Sequence, residues 1–143
     1  MIGCVITGHG DFSLGMLDGL EMIAGSQAEI KAIPFLEQSS LEEYENQLIA
    51  SIESMQKECS EIIIMTDLLG GTPFNISMLV KEKFEKVEVL SGTNLPVLLE
   101  FAGSRLGNSN IEEIIEKLIE TGRAGVSKGE IRRKDEFAEE DGI

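Results

Sequence analysis

One histidine occurs among the 143 residues: His9, set between two glycines in Gly8-His9-Gly10 at the end of an apolar run. An imidazole so open to approach is a candidate for nucleophilic or proton-transfer chemistry near neutral pH. Asp67 stands in the same relation to a second apolar run, Ile62 to Met65. A carboxylate accepting the proton of one ring nitrogen fixes the tautomer and leaves the other nitrogen's lone pair free. His9 and Asp67 together would therefore make an oriented nucleophile. Asp67 belongs to Thr66-Asp67-Leu68-Leu69-Gly70-Gly71-Thr72-Pro73-Phe74-Asn75, where two glycines allow a ligand close to the backbone. Thr72 is expected to N-cap the following helix, with Pro73 at its first helical position. The spare N–H groups of such a helix start attract anions, phosphate above all, by up to about 2 kcal/mol in partly buried geometry. Gly70, Gly71 and Thr72 are thus the expected phosphate-binding residues. Thr66, Asn75 and Asn94 are candidates for further polar contacts, although capping or turn formation suits the two asparagines at least as well.

Each of these residues also has a purely structural reading. His9 could be a turn residue, Asp67 a loop cap, and Gly70-Gly71 a tight connection. What favours chemistry is their convergence, and that depends on the elements that carry them. Ile2 to Thr7 is continuously apolar, the pattern of a parallel strand buried on both faces, and it delivers His9. Leu14, Leu17, Leu20 and Ile23 recur at helical spacing up to Gly25, with Asp11 or Ser13 as N-cap. Glu29 to Phe35 reads as a second strand, which Pro34 places at a sheet edge because it lacks a ladder donor. Ser40 with Glu43 is a capping-box signal ahead of the stripe Tyr44, Leu48, Ile52 and Met55. Ile62-Ile63-Ile64-Met65 is the densest apolar run and so a central third strand. Lys86 to Leu90 alternates as a strand nearer the edge would, and Asn94-Leu95-Pro96 opens another helix. From Asn110 to Gly122 an amphipathic helix follows, Val126 to Ile131 suits a short final strand, and residues 132–143 form an acidic tail.

Alternating strands and helices imply one α/β domain, residues 1–131, with helices on both faces of an open parallel sheet. An edge position for the second strand requires the order 2-1-3-4. Its reversal lies between the first and third strands, where His9 and Asp67 emerge and where ligands of such sheets bind. Lys and Arg total 12 against 26 for Asp and Glu, a net charge of −14. That argues against nucleic acid or anionic membrane and suits a basic protein partner. Cys4 and Cys59 show neither disulfide density nor metal spacing and read as buried thiols. No metal or cofactor is called for, and the absence of a leader or membrane-length apolar run suggests the cytoplasm.

These three motifs, Gly8-His9-Gly10, Thr66 to Asn75 and Gly92-Thr93-Asn94-Leu95-Pro96, resemble those of the mannose-type IIA components of the bacterial phosphotransferase system. The resemblance covers roughly residues 1 to 130. It implies a phosphocarrier in which His9 accepts a phosphoryl group from HPr, with Asp67 orienting the ring from Nδ1 and phosphate on Nε2. His9 would pass the group to a separate IIB component serving a IIC/IID membrane sugar transporter. The resemblance also implies a homodimer whose final strand, here Val126 to Ile131, pairs antiparallel beside the fourth, in some members exchanged between subunits. The phosphocarrier feeding dihydroxyacetone kinase shares the fold, but Gly-Gly-Thr-Pro-Phe-Asn disfavours it. A phosphoregulated binding or signalling module is a further alternative. A receiver domain phosphorylated on Asp67 would need an acidic pair after the first strand, where Gly-His-Gly stands with only Asp11 following. A metal hydrolase using His9, Asp11 and Asp67 lacks a second ligand cluster.

Overall fold

The computed structural model describes residues 1–131, so the expected acidic tail at 132–143 lies outside it. Four strands form one sheet: β1 (Ile2–His9), β2 (Ile30–Phe35), β3 (Glu61–Thr66) and β4 (Val87–Leu90). All pairings are parallel, in the order β2-β1-β3-β4. Pro34 accordingly lies on a strand bonded on one side only, where its missing N–H breaks no second ladder.

The unbroken apolar runs of β1 and β3 follow from burial on both faces. Cys4, Ile6, Ile63 and Met65 point into one core, covered by α1 (Phe12–Ala24), α4 (Leu95–Ser104) and α5 (Ile111–Ala124). Val5, Ile62 and Ile64 point into the other, covered by α2 (Leu41–Met55) and α3 (Thr72–Lys81). Strand residues alternate between faces, so both faces must be apolar and no polar alternation survives.

Caps fix where the helices begin, each contributing about 1 kcal/mol. Ser40 Oγ accepts from the Glu43 N–H at 3.0 Å, and Asn110 Oδ1 accepts from the Glu113 N–H at 2.9 Å. Asn94 does the same for α4, accepting from the Val97 N–H at 3.1 Å. Of the two N-cap candidates for α1, Asp11 occupies the position, without a side-chain capping bond, and Ser13 is buried inside the first turn. One expectation needs correction. Gly71, not Thr72, is the N-cap of α3, which moves Thr72 into the helix and Pro73 to its second residue. Neither shift moves the loops that carry the site.

Val126 to Ile131 forms no strand within this chain. Val126 and Ile131 are fully or almost fully exposed, and the segment bonds to no strand among the described residues. Among the described residues, β4 is bonded only to β3, which leaves its outer edge open.

Candidate functional site

Thr7 of β1 and Thr66 of β3 are register partners on adjacent strands. The chain leaves β1 toward β2 and leaves β3 toward β4, in opposite directions, which opens a crevice at the carboxyl ends of the two central strands. His9 and Asp67 stand at that crevice. Asp67 Oδ2 accepts the His9 backbone N–H at 2.9 Å and lies 2.8 Å from His9 Nδ1. One carboxylate oxygen therefore fixes both the backbone and the ring of His9. An ionised carboxylate can only accept, so Nδ1 carries the ring hydrogen and Nε2 keeps its lone pair.

The exposures divide the roles. The His9 side chain is 50% exposed, whereas that of Asp67 is 14% exposed. Burial alone would raise the Asp67 pKa. Hydrogen bonds from the His9 N–H and ring, the charge of that ring and the Leu68 N–H outweigh it, and hold the carboxyl below its usual range. Asp67 is thus a dependable anion under a reachable imidazole.

Two glycines make room for this pair. A Cβ on Gly8 would lie 2.8 Å from Asp67 Cγ and 2.7 Å from Phe12 Cδ1, so a larger residue would dislodge the carboxylate. A Cβ on Gly71 would lie 2.9 Å from His9 Cε1 and 3.7 Å from Nε2. The start of α3 therefore faces the free nitrogen of the ring. Gly70, at φ +80°, provides the left-handed turn that brings it there.

At Gly70 to Thr72, the expected cradle, the backbone groups are only partly free. The Gly71 N–H already donates to Leu68 O at 3.1 Å. The N–H groups of Gly70 and Thr72 have no acceptor among the described residues and remain available to an anion, together with the helix dipole. The candidate polar contacts have structural partners instead. Thr66 is buried and donates its hydroxyl to Leu90 O, and the Asn75 amide donates to Gly70 O at 3.2 Å. Asn94 caps α4 and donates to Gly122 O at 3.0 Å.

Sequence reasoning missed the wall behind His9. Phe35, the register partner of His9 on β2, stands edge-on to its ring at 6.0 Å between centroids and 80° between planes. Phe35 in turn packs on Tyr44 at 4.8 Å. The available signal was an aromatic closing the strand beside the one that ends at His9.

What the arrangement can do is attack an electrophile through Nε2, with an anion-stabilising helix start alongside. Comparison with known proteins identifies the family. Residues 3–119 match the family described as the PTS system fructose IIA component. The fructose-specific EIIA component of Bacillus subtilis is 29% identical over 105 residues, covering 73% of this chain and 71% of that protein. The mannose-specific EIIAB component of Escherichia coli is 30% identical over 129 residues, covering 87% of this chain, which spans 38% of that longer protein. The crystal structure of phosphotransferase system component EIIA from Streptococcus agalactiae matches with a TM-score of 0.78 and 35% identity, covering 90% of this chain and 97% of that one. This chain therefore belongs to the mannose-type IIA components of the sugar phosphotransferase system.

Proposed function

We propose that this chain is a phosphohistidine carrier of sugar uptake, and that His9 takes a phosphoryl group from phospho-HPr and yields it to a IIB component. The observation that carries this reading is the 2.8 Å contact between Asp67 Oδ2 and His9 Nδ1, which leaves Nε2 free beside the start of α3. In the forward step the Nε2 lone pair attacks phosphorus as the phosphorus–nitrogen bond to the donor histidine breaks. The bonding electrons leave with the donor imidazole. Positive charge that develops on the His9 ring is balanced by the Asp67 carboxylate through Nδ1–H. Phosphoryl oxygens meet the free N–H groups of Gly70 and Thr72. Transfer to IIB is the same displacement run outward.

The surroundings of His9 suit protein partners. Leu14, Leu36, Leu68 and Leu69 are all exposed, on or beside the three loops that carry the site. Apolar side chains grouped in this way mark a docking surface better than a pocket for a small metabolite. No helix among the described residues is long and apolar enough to cross a membrane, which fits a carrier working from the cytoplasm.

Incubation with phosphoenolpyruvate, Mg²⁺, enzyme I and HPr is expected to label the chain in acid-labile, base-stable form. An unlabelled chain beside a phosphorylated HPr would overturn the reading. Gly71→Ala is expected to fold, because φ −73° suits any residue, but its Cβ displaces the ring. Single-turnover transfer should fall about 10–100-fold, the usual cost of misplacing a reacting group by an ångström or less.

The chain is further proposed to work as a homodimer, with Val126 to Ile131 pairing beside β4. The open edge of β4 and an apolar groove of about 520 Å³ beside it, lined by Leu69, Phe74, Leu118 and Val126 among others, support this. Light scattering should give twice the 15.6 kDa chain mass, and truncation after Gly125 should give monomers. A full-length monomer at working concentration would refute it.

A further inference from the structure

The hydrogen bond that Nδ1–H donates to Asp67 holds the His9 ring at one atom, and one bond leaves the ring free to swing about it. Two other groups limit that swing. The backbone of Gly71 lies close to Cε1, and Phe35 packs against the ring at 6.0 Å between centroids and 80° between planes. Such an edge-to-face pair contributes a directional contact beyond simple apolar burial.

Phe35 is itself held from below. It packs at 4.8 Å and 57° on Tyr44, which is fully buried. Thr7 Oγ1 donates its only hydrogen to Ile33 O at 2.7 Å, so the Tyr44 hydroxyl must be the donor in its short hydrogen bond to Thr7. Burial, with a smaller contribution from the nearby Asp67 charge, pushes Tyr44 up to about 12, against the lowering effect of the Thr7 bond. The phenol therefore stays protonated and keeps that bond throughout the neutral range. At the backbone, Phe35 is tied to the same loop, since Gly10 N–H donates to Phe35 O at 2.8 Å.

We propose that Phe35 is a positioning residue for phosphoryl transfer. Seated on the buried Thr7–Tyr44 pair, it packs against the His9 ring and, with the nearby Gly71 backbone, restricts the ring's swing so that Nε2 stays toward the start of α3. Phe35 touches the ring and not the phosphoryl group. Its effect belongs to the turnover of the bound pair and not to the docking of the donor.

The rate part of this inference rests on the phosphocarrier reading, and the ring part does not, so the experiment reads both. Phe35→Leu keeps an apolar side chain of similar reach and removes the aromatic edge. Phe35→Tyr restores the edge. In the unphosphorylated protein, labelled with ¹³C at histidine Cε1, the order parameter of the His9 C–H bond should fall in Phe35→Leu and return in Phe35→Tyr. Under phospho-HPr, kcat for phosphorylation should fall about 10-fold in Phe35→Leu with KM for HPr unchanged, and recover in Phe35→Tyr. An unchanged order parameter, a wild-type kcat, or a loss confined to KM would each overturn the proposal. Should the wild-type chain take no phosphoryl group, the carrier reading fails by itself, and the order parameter alone decides whether Phe35 positions the ring.

Discussion

His9→Gln is expected to fold like the wild type and to accept no phosphoryl group from phospho-HPr. The His9 side chain is half exposed and belongs to neither core, so its loss should change stability by no more than about 1 kcal/mol. Transfer has no other imidazole to use, because this is the only histidine in the chain. The loss should therefore be complete and not partial. Intact-protein mass spectrometry after incubation with the donor system checks it, with circular dichroism and the unfolding midpoint to show that the fold survives. Label retained by His9→Gln would place the chemistry elsewhere, with Asp67 the first suspect.

The second large effect belongs to Asp67→Asn, which should slow transfer by about 10²–10⁴-fold while leaving the fold intact. An amide in place of the carboxylate can still accept the His9 backbone N–H. It cannot offset positive charge on the ring, and its NH₂ can instead donate to Nδ1 and select the tautomer whose Nε2 lacks a lone pair. The same substitution has a pH signature. The folded pKa of Asp67 lies below its ordinary value of 3.8. The carboxylate thus contributes stability that is fully present above that value and is lost as pH falls through the lower folded value. Wild type should exceed Asp67→Asn in unfolding midpoint at pH 7 and pH 5, with the gap closing below about pH 4. A gap that widens into acid would contradict the direction of the shift. Transfer at the wild-type rate would remove Asp67 from the mechanism.

The parts of this molecule that could be read from its residues are those where a local rule has one outcome. Pro34 lacks a ladder donor, so it forced β2 to the edge and with it the strand order. Two unbroken apolar runs forced β1 and β3 into the centre, and the ends of those strands necessarily brought His9 and Asp67 together. Where two local rules compete, the residues do not decide. Gly71 and Thr72 can each cap a helix, and the cap went to Gly71 because the backbone turning at Gly70 is already extended at the next residue. Thr66, Asn75 and Asn94 each had a ligand role and a structural role open to them, and packing gave each a partner within the protein. Phe35 was legible only as the end of a strand. Its place against His9 depends on the parallel register of β1 and β2, and a slip of one residue would turn it to the opposite face. Val126 to Ile131 has the composition of a strand but pairs with no strand among the described residues.

The site is economical in its physics. In the proposed mechanism one largely buried carboxylate orients the nucleophile, two glycines bring the start of a helix to the reacting nitrogen, and Phe35 keeps the ring in place. The proposed transfer turns on a single atom, Nε2 of His9. Long-range ¹H–¹⁵N correlation and ³¹P–¹⁵N coupling on the ¹⁵N-labelled, phosphorylated protein report which nitrogen carries phosphorus. The expected result is phosphorus on Nε2 with Nδ1 still protonated toward Asp67. Phosphorus on Nδ1, or a base-labile acyl phosphate on Asp67, would contradict it.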